Sequence, residues 1–231
     1  MEDYSLEKSL SIWEYNAEHW DDYMGDMSND FHRNVVRPKV TELLDIKEGD
    51  LILDISCGNG NYSAFMAEHG AKVVAFDYST KMIERAKKRR SHLLDRIEFT
   101  VADATNEQQL MSLQKAGGYT KAVSNMAVMD ITEIDTLFSC VNSLLSDNGS
   151  FVFSTQHPCF ITLTDRYLTP HAYYGTGIPG QPLEHCYYHR SLQDIFNVCL
   201  KNGFVIDGFY EEAYGGKELP DIIIVRAKKL S

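Results

Sequence analysis

Apolar residues in this chain form two kinds of pattern, short continuous runs and longer stretches with helical spacing. The run at 51–55 predicts a buried strand, and the apolar positions within 62–69 predict a helix directly after it. A further run at 72–76 predicts a second strand. A strand, a helix and a strand in this order make a βαβ unit, so the pattern indicates a parallel sheet.

The same alternation continues through most of the chain. Further strands are predicted at 97–101, 121–125 and 150–155, and the segments between them have the spacing of helices. Near the end, runs at 204–210 and 221–227 lie on either side of a Gly-Gly turn and predict an antiparallel pair. We therefore expect a Rossmann-like α/β fold, with helices on both faces of a seven-stranded, mostly parallel sheet, one reversed strand and a C-terminal antiparallel hairpin.

Two segments depart from this alternation. Residues 4–24 and 31–44 carry apolar positions at helical spacing, which predicts an N-terminal helical cap over residues 1–45. Residues 156–190 show neither the apolar runs of strands nor the spacing of helices, and they are rich in proline, glycine, histidine and tyrosine. We therefore expect an irregular segment inserted on the substrate side. The whole chain, residues 1–231, is expected to form one domain.

The loop after the first strand carries the most specific chemical signal. Gly58-x-Gly60-x-x-Ser63 is close to the dinucleotide-binding fingerprint, and Asp77 ends the second strand, where an acidic residue can bind ribose hydroxyls. However, no lysine or arginine occurs from Asp54 to Glu68, and a pyrophosphate beside Asp54 would be repelled. A phosphate-free adenosine ligand with an ammonium and a sulfonium would be attracted instead. S-adenosylmethionine fits this description.

Composition narrows the possible partners. The formal net charge of −11 disfavours a nucleic-acid substrate, because phosphate binding requires a basic surface. No apolar run approaches the ~18 residues of a membrane span, so we expect no membrane partner. The five cysteines are scattered, the histidine and cysteine spacings fit no zinc pattern, and the N-terminus does not resemble a signal peptide. A cytoplasmic protein without a bound metal is therefore expected; the oligomeric state is not predicted.

In its order of motifs, the chain resembles the class I S-adenosylmethionine-dependent methyltransferases. The motifs that carry the resemblance lie at 53–60, 76–79, 102–104 and 150–154, at the ends of successive predicted strands and in the fifth strand. Segments at 20–33, 157–160 and 188–192 are similar to a subgroup that acts on small molecules. The resemblance implies transfer of a methyl group to a small-molecule acceptor by in-line displacement. A non-catalytic protein on the same fold and a nicotinamide-dependent oxidoreductase remain as alternatives.

The resemblance also implies roles for individual residues. Asp54 would bind the ammonium of the cofactor, Asp77 its ribose and Asp103 its adenine amino group. Tyr78 and Met82 would lie on either side of the adenine. The complete set of predicted cofactor-binding residues is Tyr15, Trp20, Asp54, Ser56, Cys57, Gly58, Gly60, Asp77, Tyr78, Met82, Asp103, Ala104, Asn125 and Met126.

The loop glycines would let the backbone approach the methionine part of the cofactor, because a Cβ at Gly58 or Gly60 would collide with it. The family usually has glycine where this chain has Ser56, and a serine is tolerated there if its φ is negative.

A lid and a general base complete the predicted site. Trp13, Tyr15 and Trp20 could cover the sulfonium, or could pack the N-terminal helix on the core; Tyr15 and Trp20 are the favoured lid residues. His157 directly follows the fifth strand and is the predicted general base, since a histidine exchanges protons near neutral pH. The alternative is that the histidines of this segment are structural.

Overall fold

The computed structural model describes residues 3–230, so residues 1, 2 and 231 of the predicted domain lie outside the described part of the chain. Seven of the nine strands form one sheet in the order β3-β2-β1-β4-β5-β9-β8. The strands are β1 Leu51–Ile55, β2 Lys72–Asp77, β3 Ile97–Val101, β4 Tyr119–Asn125, β5 Leu145–Gln156, β6 His171–Gly175, β7 His185–His189, β8 Phe204–Glu212 and β9 Ile222–Lys229.

Strands β1 to β5 run parallel, and β9 is antiparallel to both of its neighbours, β5 and β8. The predicted fold class is therefore confirmed, including the single reversed strand. Because the five parallel strands share a direction, the loops that follow them meet at one edge of the sheet. Open α/β sheets bind ligands at this carboxyl edge.

Helices connect these strands at positions near those predicted. They are α1 Leu6–Met24, α2 Arg37–Leu44, α3 Asn61–Glu68, α4 Thr80–Arg89, α5 Glu107–Met111, α6 Asp135–Leu144 and α7 Leu192–Lys201. Two predicted N-caps are confirmed, since the side chains of Ser79 and Ser191 accept hydrogen bonds from the N–H groups of Met82 and Asp194. A π-helical turn over His32–Val36 leads into α2, which places Pro38 in the first turn, where no N–H is needed.

The core lies on both faces of the sheet. Alternation along β5 sends Phe151 and Phe153 to one face and Val152 to the other. On the first face the ring of Phe138 in α6 contacts both phenylalanines edge-on, with centroid distances of 5.2 and 5.3 Å. Both faces being covered explains why the central strands read as nearly continuous apolar runs.

Residues 156–190 are more ordered than the sequence predicts. Within them β6 and β7 form an antiparallel two-stranded sheet, in which Tyr173 pairs with Tyr187 and the ring centroids lie 5.3 Å apart. The loop of this hairpin is joined to α1, because the Asn16 side chain donates to the carbonyl of Leu183 at 2.7 Å and accepts from its N–H at 3.1 Å. The prediction of an irregular segment is therefore wrong at β6 and β7. Aromatic pairs across the hairpin stabilise these strands, which lack the apolar pattern by which the other strands were predicted.

Within residues 3–230, none of the helices combines the length and the apolar character that crossing a lipid bilayer requires.

Candidate functional site

A cavity opens at the carboxyl edge of the sheet, between the loops after β1 to β4 and the N-terminal helix α1. All the predicted cofactor-binding residues line it except Tyr15 and Gly60. The lining residues from that set are Trp20, Asp54, Ser56, Cys57, Gly58, Asp77, Tyr78, Met82, Asp103, Ala104, Asn125 and Met126. The structure thus brings together motifs that are up to about half the chain apart in sequence.

The loop after β1 owes its shape to a series of left-handed residues. Ser56, Gly58 and Gly60 have φ angles of +55°, +54° and +74°. A serine at position 56 was expected to be tolerated with a negative φ, but its φ is positive. This conformation costs a non-glycine residue about 1 kcal/mol. The N–H of Cys57 donates to the carbonyl of Phe76 at 2.9 Å, which holds the loop against the end of β2.

The two loop glycines have different reasons to be glycine. A Cβ on Gly58 would meet nothing within 4 Å and would occupy cavity space. A Cβ on Gly60 would lie 2.8 Å from Cζ of Phe99, so this glycine is required by packing beneath the loop. The position of Gly58 is consistent with the predicted collision between a Cβ and the cofactor. At Gly60 the collision would be with Phe99 instead.

Two buried carboxyl groups face the cavity without a cation beside them. Asp54 accepts a hydrogen bond from Oγ of Ser63 at 2.5 Å, and burial raises the pKa of Asp54 to about 7. Asp77 accepts from the N–H groups of Gly58 and Ser79, both at 3.0 Å, and burial raises its pKa to about 6. Neither carboxylate forms an ion pair with any residue in the described range 3–230. A positively charged ligand would supply the missing countercharge.

Asp103 lies at the end of β3 and combines two roles. Its Oδ1 accepts hydrogen bonds from both the N–H and Oγ1 of Thr105, each at 2.8 Å, and these bonds shape the loop. Because both bonds use the same oxygen, Oδ2 is left to accept a bond from a ligand that reaches this part of the cavity.

A cation that was not predicted from the sequence also lines the cavity. The guanidinium of Arg37 donates to Oγ of Ser28 at 3.1 Å, lies over the ring of Phe65 at 5.3 Å and has no carboxylate partner among the described residues. Burial lowers the pKa of the nearby His32 to about 4, with Arg37 adding to the effect, so that this histidine is neutral. The segment at 20–33, which carried the resemblance to small-molecule enzymes, contains His32 but ends before Arg37, so it gave a signal for the histidine alone.

The N-terminal cap is fastened directly to the loop after β1. Asp21 of α1 accepts hydrogen bonds from Nδ2 of Asn59 and from Nη1 of Arg85, both at 3.0 Å, and also forms an ion pair with Arg89. Asn59 further donates to the carbonyl of Gly25 at 3.2 Å. These bonds fix the orientation of α1 over the cavity, and with it the position of the α1 side chains that face inward.

The prediction that Tyr15 covers the cavity is wrong. Its side chain is 64% exposed and does not line the cavity, whereas Trp13 and Trp20 do, with their ring centroids 5.1 Å apart. Residues 13 and 20 are seven positions apart and share a helix face, but two positions turn a helix by about 200°. Trp13 therefore takes the place that was predicted for Tyr15.

The prediction of His157 as a general base is also wrong. His157 is buried and lies outside the cavity, with Nε2 2.7 Å from a carboxylate oxygen of Glu211 in β8. Its Nδ1 accepts from the N–H of Cys159 at 3.2 Å. Both ring nitrogens are thus engaged in joining the end of β5 to the edge strand, which is the structural alternative considered for this histidine.

Over the described part of the chain, no group of three or more histidine, cysteine, aspartate or glutamate residues is arranged to hold a metal ion.

Comparison with known proteins gives the family. Residues 46–177, more than half of the chain, match the model of a family described as a methyltransferase domain. The chain belongs to this methyltransferase domain family. The matched range contains the strands that line the cavity, whereas α1 and the cap lie before it.

Solved structures share the fold of this methyltransferase domain. An S-adenosylmethionine dependent methyltransferase from Mesorhizobium loti is 24% identical, with a TM-score of 0.63 over 83% of this chain and 96% of that one. Magnesium protoporphyrin IX methyltransferase from Synechocystis, solved with bound S-adenosylmethionine, is 19% identical, with a TM-score of 0.65 over 99% of this chain and 100% of that one. The second alignment extends the shared fold to nearly the whole chain.

Curated relatives match a shorter part of the methyltransferase domain. An uncharacterised protein of Haemophilus influenzae is 30% identical over 54% of this chain, and the match spans 49% of that protein. A 23S rRNA (uracil(1939)-C(5))-methyltransferase of Legionella pneumophila is 28% identical over 36% of this chain, which is 19% of the enzyme. The chain thus spans about half the length of the first relative and about a fifth of the second.

Proposed function

We propose that this chain is an S-adenosylmethionine-dependent methyltransferase that acts on a small molecule. The observation that carries the proposal is the set of charges in the cavity wall, where the buried carboxyl groups of Asp54 and Asp77 line the same cavity as the guanidinium of Arg37, and none of the three has an ion-pair partner among residues 3–230. An adenosine ligand that ends in an amino-acid group complements this arrangement, because it brings an ammonium, a carboxylate and two ribose hydroxyls. A pyrophosphate would meet the carboxylates instead.

In this proposal each residue binds a different part of the cofactor. Asp77 would accept the ribose hydroxyls, Asp103 would accept the adenine amino group, and Tyr78 and Met82 would contact the adenine. The ammonium of the methionine part would pair with Asp54, and its carboxylate with Arg37, which extends the predicted set. When bound, the cofactor supplies a methyl group already activated by the positive sulfur.

The protein's own contribution is to align the reactants and to exclude water. Trp13 and Trp20 cover the cavity from α1, and the bonds of Asp21 to Asn59 and Arg85 hold that helix in place. An aromatic cover also attracts a positively charged sulfur to its ring faces.

The charge of the protein supports a small-molecule acceptor over an RNA. The net charge of −11 opposes phosphate binding. Two of the four residues in the basic run at 87–90 are used within the protein, since Arg89 pairs with Asp21 and Asp26, and Arg90 donates to the carbonyl of Asp26 at 3.1 Å. The rRNA methyltransferase relative is matched over too little of its length to favour its substrate.

Calorimetry tests the cofactor assignment directly. Wild-type protein is expected to bind S-adenosylmethionine and S-adenosylhomocysteine with dissociation constants of about 1–100 μM, and to show no heat of binding with NAD or NADP. Incubation with small-molecule extracts is expected to release S-adenosylhomocysteine. Failure to bind S-adenosylmethionine would overturn the proposal, and binding without turnover on any extract would favour a non-catalytic binding protein.

The two loop glycines give a matched pair of variants. Gly58→Ala is expected to cost about 1 kcal/mol of stability from its positive φ but to weaken S-adenosylmethionine binding at least about tenfold, because the new Cβ enters the cavity. Gly60→Ala is expected to cost about 2–4 kcal/mol, since the clash with Phe99 adds to the backbone strain. Urea unfolding and calorimetry on both variants check this division. Equal stability losses, or unchanged binding by Gly58→Ala, would contradict it.

A further inference from the structure

A carboxylate that the cofactor assignment does not use lies in the wall of the same cavity. Asp130 ends a 3₁₀ turn after β4, and its side chain is 14% exposed. Its Oδ1 is fully buried and makes no hydrogen bond of normal geometry with any residue from 3 to 230. Burial raises the pKa of this carboxyl, an effect that its histidine neighbour opposes. Because Oδ1 is buried against His185, the oxygen that a ligand in the cavity can reach is Oδ2, which accepts no hydrogen bond from any residue in the described range.

The turn that carries Asp130 is held firmly by an arginine that does not neutralise it. The guanidinium of Arg190 donates to the carbonyls of Val128, Ile131 and Thr132 at 3.2, 2.7 and 2.9 Å. These bonds fix the backbone on both sides of Asp130. Their acceptors are neutral carbonyl groups, so Arg190 does not pair with the carboxylate. The carboxylate is therefore placed rigidly, and its charge is left available to a ligand.

A chain of hydrogen bonds directs one N–H group toward this carboxylate. The amide oxygen of Gln181 accepts from Nε1 of Trp20 and from the N–H of Gly177, both at 3.1 Å, which fixes the amide so that its NH₂ group faces His185. This NH₂ group donates to Nδ1 of His185 at 2.9 Å. The histidine hydrogen is thereby assigned to Nε2, which lies 3.5 Å from Oδ1 of Asp130.

Aromatic rings surround this end of the cavity. The buried imidazole of His185 has its centroid 4.7 Å from that of Trp13, 6.1 Å from that of Trp20 and 4.3 Å from that of Tyr187. Ring faces attract cations, and the carboxylates of Asp54, Asp77 and Asp103 line the same cavity. An anionic acceptor would be repelled here, whereas a cationic one would be attracted both by the rings and by Asp130.

We infer that the methyl acceptor is a small amine whose nitrogen is bound by Asp130 beside Trp13 and Trp20. This inference rests on the proposed methyltransferase function. The acceptor enters as an ammonium and gives one proton to the carboxylate of Asp130, which frees the nitrogen lone pair. The nitrogen lone pair forms the new bond to the methyl carbon as the bond between that carbon and sulfur breaks. The electron pair of the broken bond remains on sulfur. The methylated ammonium then leaves, and the proton passes from Asp130 to water.

In this arrangement Asp130 is a catalytic residue, and His185 is a positioning residue that acts through it. The Nε2–H of His185 limits how far the carboxylate can turn away from the cavity. The hydroxyl group of an alcohol carries no charge, so its hydrogen bond to the carboxylate lacks the ion-pair attraction that an ammonium adds. Selection of amines over alcohols of the same shape is therefore the expected property of the site.

The chain provides its own probe for this selectivity. Its two tryptophans, Trp13 and Trp20, both line the cavity, so intrinsic fluorescence reports occupancy of the acceptor region. With the protein saturated by S-adenosylhomocysteine, we would titrate benzylamine, benzyl alcohol and benzoate, and butylamine, butanol and butyrate. In at least one set the amine is expected to bind at least about tenfold more tightly than the matched alcohol, and the carboxylates are expected not to bind.

Variants separate the role of Asp130 from a general loss of structure. Asp130→Asn is expected to weaken amine binding at least about tenfold, and to change alcohol binding and S-adenosylhomocysteine affinity by no more than about threefold each. His185→Phe should reduce the preference for amines while keeping the ring contacts, and Asp165→Asn, an exposed carboxyl outside the cavity, should change nothing. Equal binding of amines and alcohols, or an amine preference that survives Asp130→Asn, would overturn the inference. Absence of S-adenosylmethionine binding by the wild type would instead overturn the proposed function itself.

Discussion

Replacement of Asp77 by asparagine is expected to lower the affinity for S-adenosylmethionine by at least about 100-fold while leaving the fold intact. In the protein each carboxylate oxygen already accepts one N–H group, from Gly58 or from Ser79. Each oxygen keeps a second lone pair for a ribose hydroxyl. An asparagine has only one such oxygen, so it loses one of the two backbone bonds and one ribose bond, and the remaining ribose bond is no longer assisted by charge. Hydrogen bonds to charged groups contribute about 1.5–3 kcal/mol each, which gives the expected size.

Calorimetry on purified Asp77→Asn, beside an equally conservative change outside the cavity, measures this effect. Asp95→Asn is a suitable control, because Asp95 is exposed and lies in the turn between α4 and β3. Circular dichroism and urea unfolding establish that both variants are folded. Binding by Asp77→Asn within a factor of about three of the wild type would remove the assigned role of Asp77 in holding the ribose.

The carboxyl edge of the sheet was the part of the site most readily predicted from the sequence. Asp54, Asp77 and Asp103 each follow an apolar run, and parallel strands bring the residues after such runs to one edge. Local pattern and strand topology are enough for this prediction, and the packing of distant segments does not affect it. It fails for fine geometry, as at Ser56, whose positive φ is imposed by the loop and has no signal in the residue type.

Side-chain direction was harder to predict than position along a strand or helix. His157 follows a strand on the ligand edge, yet its backbone N–H pairs with the carbonyl of Asp221 and its ring contacts Glu211, two residues that the sequence does not connect with it. For the lid, the seven-residue spacing of Trp13 and Trp20 was a usable signal and would have excluded Tyr15. Asp130 and His185 meet only through the β6–β7 hairpin, which no local pattern predicted.

Asp54→Asn is expected to make the ligand-free protein more stable above neutral pH and less able to bind its cofactor. The folded pKa of Asp54 is raised to about 7, from 3.8, because the carboxyl is buried. The folded state therefore holds this proton where the unfolded chain has released it, so the free energy of unfolding falls as pH rises from about 4 to about 7. At about 1.4 kcal/mol per pKa unit, the loss approaches about 4 kcal/mol. Asparagine carries no such cost, and Oγ of Ser63 can still donate to its oxygen.

Urea unfolding of the wild type and Asp54→Asn at pH 4 to 8 measures the difference, in which the contributions of other titrating groups cancel. The variant's advantage should be near zero at pH 4, grow through pH 5 and 6, and level off above about pH 7. Ser63→Ala provides a matched test of the cause. Its hydroxyl bond lowers the pKa of Asp54, so removing it should move the plateau to higher pH.

Binding should change in the opposite direction, because the proposed partner of the cofactor's ammonium is the ionised form of Asp54. Wild-type affinity for S-adenosylmethionine is expected to rise with pH up to about 7, as Asp77 and then Asp54 lose their protons. In Asp54→Asn the rise should end near pH 6, and affinity at pH 8 should be at least about tenfold lower than in the wild type. A variant that is more stable but binds as tightly would show that the carboxylate does not contact the ammonium. A variant with no gain in stability at pH 8 would contradict the expected cost of burying the Asp54 carboxylate. In the wild type this cost is offset only when the cationic cofactor binds.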